Sequence, residues 1–140
     1  MLDTNVVLDL LVFGDAAAVP LDEGLTAGRL RWLATAAMRD ELARVLGYPQ
    51  IAARLRTLDL DPGAVLARFD ALAELVAPAA PAPVTCSDPD DQCFIDLAVH
   101  HGCMLLSKDA AVLALRRRLA ALRVHAATAL PSASYSPSGT

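Results

Sequence analysis

Short apolar runs alternate along the chain with longer segments in which hydrophobic residues recur every three or four positions. The short runs are typical of buried strands, and the longer segments are typical of amphipathic helices. Strands are predicted at residues 1–2, 30–34, 103–106 and 122–126. Because strands and helices alternate, the pattern predicts an α/β fold built on a parallel sheet.

The predicted helices fill the intervals between these strands, and several of them have recognisable ends. Thr35 is a candidate N-cap, and Pro62 suits a first helical turn that Asp61 would cap. Gly47 and Gly102 each stop the helix that precedes them. The predicted helices cover residues 6–13, part of 15–26, 36–46, 50–56, 62–76, 88–101 and a segment from Asp109 that ends in the basic run 116–118.

The length of 140 residues suits one domain rather than two. Residues 78–83 are rich in Pro and Ala, but this connector is too short to separate two domains. A single domain is therefore predicted over residues 1–130. The Ser/Pro-rich tail at residues 131–140 is expected to be flexible.

Composition narrows the classes of function. Hydrophobic residues make up 55% of the chain and aromatic residues only 4%, which argues against recognition by stacking bases on aromatic platforms. No apolar run approaches the roughly 20 residues that span a bilayer. The start of the chain also lacks a basic and then apolar leader, because Asp3 follows only two residues. The protein is therefore expected in the cytoplasm.

Cysteine and histidine give no sign of a zinc site or a disulfide framework. The three cysteines, Cys86, Cys93 and Cys103, are odd in number and lack close ligand pairing, so buried inert thiols are predicted. The three histidines do not form a metal-binding pair of the H-E-x-x-H kind. A nucleotide cofactor has no support either, because the chain has neither a G-x-G-x-x-G motif nor a P-loop.

A net charge of −4 excludes nucleic-acid binding driven by bulk charge. It leaves room for an acidic metal pocket with basic side chains at its rim, although a solvated helix face explains each of these residues equally well. The candidates for such a rim are Arg39, Arg44, Arg54, Arg56, Lys108 and Arg116 to Arg118.

Four acids occupy positions from which they would reach a common site. Asp3 and Asp109 follow short apolar runs, where the carboxyl ends of parallel strands line a ligand crevice. Asp91 shares a helix face with apolar neighbours, and Glu41 lies at the edge of an apolar stripe. Asp96 falls on the opposite face to Asp91 and is predicted to be solvated. Taken singly, each of the four acids also suits a helix cap or a solvated position.

Convergence of these carboxylates would require a counterion. Two unit charges about 4 Å apart repel by about 4 kcal/mol at an effective dielectric constant of 20. A shared proton or a hard divalent cation relieves that repulsion, and Mg²⁺ and Mn²⁺ prefer oxygen ligands. Metal-assisted hydrolysis of a phosphodiester is a natural use of such a cluster. Spacing along the sequence leaves the convergence itself open.

Three segments together resemble the PIN-domain family. They are the opening Leu2-Asp3-Thr4-Asn5-Val6, the motif E-L-A-R-V-L that begins at Glu41 within the helix predicted at 36–46, and the stretch from Asp90 to Leu113. This last stretch contains Asp91, Ala98, Gly102, Ser107 and Asp109. The resemblance runs from Asp3 to about Val124. It is strongest to the branch of toxin components from bacterial toxin–antitoxin pairs.

The resemblance implies a PIN-like three-layer α/β/α fold with a central parallel sheet of four to five short strands. It also implies a Mg²⁺- or Mn²⁺-dependent ribonuclease that is often a homodimer and is silenced by an antitoxin protein. In the family, the acids matching Asp3, Glu41, Asp91 and Asp109 hold the metal. The residues matching Asn5 and Ser107 orient those acids or a bound water. Beside Asp91, Asp90 is assigned an auxiliary role and Asp88 a capping role.

Two departures and three rival functions accompany this interpretation. Only two residues precede the first acid, and Ser107-Lys108 stands where the family often has Thr-Gly.

A phosphatase with Asp3 as nucleophile would need an acid at the position of Asn5. A receiver-like domain would need an apolar strand in mid-chain that ends in Asp, and there is none. A PIN module that binds RNA or a protein without cleaving stays open.

Overall fold

Short parallel strands form the centre of the structure, a computed structural model that describes residues 1–130. Strand β1 (Trp32–Ala34) pairs in parallel with β2 (Ala73–Leu75), and β3 (Leu105–Leu106) pairs in parallel with β4 (Ala126–Ala127). The start of the chain lies along β3, because Leu2 and Leu106 form a parallel bridge. The predicted parallel α/β architecture is therefore confirmed.

A continuous sheet of four to five strands is not confirmed within residues 1–130. The strands form one ladder of β1 with β2 and a second ladder of residues 1–2, β3 and β4. Each strand is only two or three residues long, so few backbone hydrogen bonds are available to join the ladders. Side-chain packing connects them instead, since Leu2 and Trp32 line the same small cavity.

Helices surround these strands in the predicted order. The chain enters α1 (Thr4–Leu8), continues through a π-helical turn (Asp9–Phe13) and a 3₁₀ turn (Ala16–Ala18), and then forms α2 (Val19–Thr26). A 3₁₀ turn (Pro89–Asp91) precedes the helix that begins at Gln92. The remaining helices are α3 (Ala36–Leu46), α4 (Pro49–Thr57), α5 (Pro62–Leu72), α6 (Gln92–His101), α7 (Ala110–Leu113) and α8 (Arg116–Ala121).

Several predicted helix ends are found where the sequence places them. Thr35 caps α3, since its hydroxyl accepts a hydrogen bond of 3.3 Å from the amide of Met38. Gly102 ends α6 in the left-handed conformation with φ of 62°. Gly47 ends α3, and α4 begins at Pro49. Asp61 occupies the N-cap position of α5 but makes no capping hydrogen bond through its side chain.

Three predicted elements near the middle and the end of the chain are wrong in their extent. The helix predicted at 62–76 ends at Leu72, and the chain then becomes extended to form β2. The helix that follows Asp109 stops at Leu113, so the basic run opens α8 rather than ending α7. The last strand is also shorter than the predicted 122–126 and lies at Ala126–Ala127.

The buried side chains form one core cluster that draws on nearly every element from Met1 to Ala126. Trp32 of β1 and Phe69 of α5 meet edge to face, with their ring centroids 4.8 Å apart. All three cysteines are free thiols, but only Cys86 is buried, so the prediction of buried thiols is wrong for Cys93 and Cys103. The predicted tail at 131–140 lies outside the described residues.

Within residues 1–130 no single helix is long and apolar enough to cross a membrane. The pair Thr4–Phe13 and Ala16–Thr26 reaches that length and composition only together, and its two parts meet at 103°.

Candidate active site

Asp3 lies at the point where the first chain segment, which pairs with β3, ends and α1 begins. Its side chain is 3% exposed and caps α1, because Oδ1 accepts a hydrogen bond of 2.9 Å from the amide of Val6. Its Oδ2 accepts a hydrogen bond of 2.5 Å from the hydroxyl of Ser107. Burial raises the pKa of Asp3 above its usual value, and the hydrogen bonds from Ser107 and Val6 act in the opposite direction.

Ser107 connects Asp3 to the beginning of α7. It is fully buried at the end of β3, where its backbone amide donates to the carbonyl of Ala127 over 3.0 Å. Its hydroxyl donates to Asp3 and accepts from the amide of Asp109 over 3.1 Å. Asp109 in turn caps α7 through Oδ1, which accepts from the amide of Ala111 over 2.8 Å. One buried hydroxyl thus fixes the relative positions of two acids.

Asp91 precedes α6 and lies among other carboxyl groups. Oxygen atoms of Asp88, Asp91 and Asp109 all lie within 4.8 Å of one another. The Asp91 side chain is buried, and its Oδ2 has no hydrogen-bond partner among the described residues. Burial raises the pKa of Asp91 to about 7, and the neighbouring Asp109, Asp88 and Asp3 add to the increase. A buried oxygen without a donor and next to like charges is costly unless a proton or a cation joins it.

Asp3, Glu41 and Asp91 line one cleft of about 330 Å³. Glu41 is half-buried on α3, as expected for a side chain at the flank of the apolar stripe. Tyr48, at the start of α4, also lines the cleft and is 46% exposed. The cleft is thus acidic in one part and offers an accessible aromatic ring in another.

The structure brings most of the predicted site residues together. Asp109 approaches Asp91 beside the cleft, Asn5 lines the cleft, and Ser107 lies beneath Asp3. Asp90 is exposed and is not among the residues that line the cleft.

Asp88 is the residue that sequence reasoning undervalued. As predicted it caps the turn before α6, because its Oδ1 accepts from the amide of Asp90 over 3.0 Å. It also lies in the acidic group with Asp91 and Asp109. Its position three residues before Asp91, across a single turn of chain, was the available signal.

The surroundings of the cleft differ from the prediction at two positions. Asp96 is half-buried rather than solvated, and its Oδ1 accepts hydrogen bonds of 2.8 Å from the amide of Ala82 and from the side-chain amide of Gln92. Lys108, proposed for a basic rim, forms an ion pair of 2.5 Å with Asp9. It is therefore already neutralised.

A hard divalent cation fits the donors at this site. Carboxylate oxygens are the ligands that Mg²⁺ and Mn²⁺ prefer, and three acids present such oxygens within 4.8 Å of one another. The Oδ2 atom of Asp91 has no hydrogen-bond partner among the described residues, so its lone pairs are available to a cation. Burial and then the neighbouring like charges raise the pKa of Asp91, because both disfavour its ionised form without a counterion.

The family model described as PIN domain matches residues 1–111. The chain belongs to the PIN domain family. The matched PIN region contains Asp3, Glu41, Asp91 and Asp109. PIN domains are generally nucleases and are typically metal-dependent, in agreement with an acidic cluster of this kind. Comparisons with curated proteins and with solved structures gave no match.

Proposed function

We propose that this PIN domain is a divalent-metal-dependent endoribonuclease that hydrolyses phosphodiester bonds of RNA. The observation that carries the proposal is the buried Oδ2 of Asp91, which has no hydrogen-bond donor among the described residues. Asp91 lies beside the carboxyl groups of Asp88 and Asp109, in a chain that belongs to a family of nucleases. A cation in this place would offset the repulsion and give the cleft an affinity for a phosphate group.

Asp3, Glu41, Asp91 and Asp109 would hold the Mg²⁺ or Mn²⁺, with Asp88 adjacent to them. When bound, such an ion polarises a phosphodiester and lowers the pKa of a coordinated water. Ser107 keeps the carboxylate of Asp3 in one orientation through its hydroxyl. With a pKa of about 7, Asp91 holds a proton in part of the molecules at neutral pH, and that proton must leave before both oxygens serve as ligands.

The biological setting is proposed on narrower grounds. The resemblance to toxin components, which runs from Asp3 to about Val124, supports a cytoplasmic toxin of a toxin–antitoxin pair. Such a protein would act as a homodimer and would be silenced by its antitoxin protein. Membership of the PIN domain family supports a nuclease, but it does not distinguish the toxin branch from other PIN domains.

A PIN module that binds RNA or a protein without cleaving it is the alternative. Retention of acids at all four positions speaks for catalysis, because a module without metal chemistry would be more stable with neutral residues at Asp91 and its neighbours.

Cleavage of a quenched fluorescent RNA by the purified protein tests the proposal. Activity is expected with Mg²⁺ or Mn²⁺, and it should disappear with EDTA and in Asp3→Asn. The matched control is Asp15→Asn, since Asp15 is an exposed cap that does not line the cleft. Equal cleavage by the wild type and Asp3→Asn would show contamination and would remove the case for catalysis. Metal binding without cleavage would favour the inactive module.

A further inference from the structure

A second groove, of about 460 Å³, lies between the helices α7 and α8 and the strand β4. Its floor is apolar and includes the buried Val124 and Ala126. Its accessible polar lining comes from Arg116 and Arg117 at the start of α8 and from His125 and Thr128 beside β4. We refer to it as the arginine groove.

Charge is distributed unequally along the chain, and the arginine groove lies in its basic part. All 16 Asp and Glu residues occur at or before Asp109, whereas four arginines and no acidic side chain follow it. The ion pairs of the described region engage Arg31, Arg39, Arg68 and Lys108. Arg116 and Arg117 have no acidic partner there, so the groove carries uncompensated positive charge.

The arginine groove is close to the acidic cluster. Ala127, which lines the groove, accepts the backbone hydrogen bond of Ser107, and the hydroxyl of Ser107 binds Asp3. Neighbouring strands are about 4.8 Å apart, so β4 lies roughly 10 Å from the first chain segment that carries Asp3. The helix α7, which also lines the groove, begins directly after Asp109, because Asp109 is its cap. Arg116 follows Asp109 by only seven residues, so a strand of nucleic acid held at the carboxylates has a short span to cover before it reaches Arg116.

We infer that the arginine groove binds the phosphate backbone of the single-stranded RNA substrate beside the cleavage site. This inference rests on the proposed function and adds to it a second contact that holds the strand in place. An acidic peptide is the competing occupant, since it could pair with the edge of β4. That edge is only two residues long and offers few backbone hydrogen bonds, so the arginines are the stronger determinant.

The test is binding of a fluorescein-labelled single-stranded RNA, followed by anisotropy as the KCl concentration is varied. All proteins carry Asp3→Asn in EDTA, which prevents cleavage during the measurement. Each phosphate contact to a single strand contributes about 0.7 to the slope of log K against log salt. Loss of two contacts in Arg116→Gln/Arg117→Gln is expected to lower the slope by about 1.4 and to weaken binding about tenfold at low salt.

Two further variants separate local contacts from bulk charge. Arg29→Gln/Arg68→Gln changes the net charge equally at exposed positions that line neither the groove nor the cleft, and it should leave the slope unchanged. Arg116→Lys/Arg117→Lys keeps the charge and should keep the slope. An equal effect of the Arg29/Arg68 pair would overturn the inference, and so would an unchanged slope in the groove variant. Loss of polyglutamate binding by the groove variant, with RNA binding intact, would also overturn it in favour of an acidic peptide.

Failure of the proposed function would look different. If the wild type cleaves no RNA but the slope falls as expected in the groove variant, the arginine groove is supported and the nuclease is not. If the wild type cleaves RNA and the slope does not change, the nuclease is supported and the groove inference is wrong.

Discussion

Ser107 shows how one uncharged side chain organises an acidic site. Its hydroxyl is fully buried, donates to Asp3 and accepts from the amide of Asp109. A serine is small enough for this position and supplies both a donor and an acceptor. This hydroxyl connects Asp3 to Asp109 through two hydrogen bonds, so the relative position of the two acids depends on it.

Ser107→Ala is expected to destabilise the protein by about 1–3 kcal/mol, because Oδ2 of Asp3 would lose its donor while it stays buried. RNA cleavage should fall at least tenfold even where the variant is folded, since Asp3 would no longer be held in one orientation. Urea denaturation and the fluorescent RNA assay measure the two effects. Ser87→Ala, at an exposed serine, is the control. Full activity in Ser107→Ala would show that the hydroxyl has a purely structural role.

Sequence reasoning anticipated much of this site because helix periodicity places side chains on known faces. Asp91 was assigned to the buried face of its helix and lies there. The same reasoning misplaced Asp96, because the opposite face of that helix is covered by the connector that contains Ala82. Asp88 was seen as a cap alone because the distance between two side chains across a turn cannot be read from periodicity.

Helix ends could be predicted from single residues, whereas strands as short as β2 could not. After Leu72, the last residue of α5, Leu75 and Val76 continue the helical spacing of apolar residues, so the sequence favours a longer helix there. The extended conformation of β2 is instead stabilised by pairing with β1, some 40 positions earlier, and by the hydrogen bond of 2.8 Å from the amide of Val76 to Ala34. Such a distant partner leaves no local signal.

Gly102 and Gly47 both end helices, but only Gly102 has a positive φ, of 62°. Gly102→Ala should lower the free energy of unfolding by about 1–2 kcal/mol, the cost of the left-handed conformation for a residue with Cβ. A Cβ at Gly102 would contact nothing within 4 Å, so the loss would be conformational. Gly47→Ala, with φ of −88°, is the matched control and should change stability little. Thermal denaturation measures both, and similar losses in the two variants would refute this account.

At the scale of the whole molecule, the net charge of −4 conceals an acidic cleft and a separate basic groove. Asp3, Glu41 and Asp91 line the cleft, whereas two of the four arginines after Asp109, Arg116 and Arg117, line the groove beside β4. The net charge argues against nucleic-acid binding, but the two local charges suit a phosphodiester held by a cation on one side and by arginines on the other. The basic run was visible in the sequence, although its place beside β4 required the fold.

The pH dependence of stability follows from the pKa of Asp91, which is raised from 3.8 to about 7 in the folded protein. A raised pKa means that the fold favours the protonated carboxyl. The contribution of Asp91 to stability is therefore full below about pH 4 and is lost as the pH rises through about 7. Asp91→Asn removes this titration, so the metal-free variant should become progressively more stable than the wild type across that range.

Urea denaturation in EDTA between about pH 4 and about pH 8 measures this difference between the wild type and Asp91→Asn. Asp15→Asn is again the control, since Asp15 is an exposed cap that does not line the cleft. In buffer without EDTA, free Mn²⁺ at about 100 times its Kd should stabilise the wild type by about 2.7 kcal/mol. It should stabilise Asp91→Asn much less, because that variant lacks a carboxylate ligand. A pH-independent difference between the two proteins would mean that crowding does not control the charge of Asp91. Equal stabilisation of both by Mn²⁺ would place the cation away from this acid.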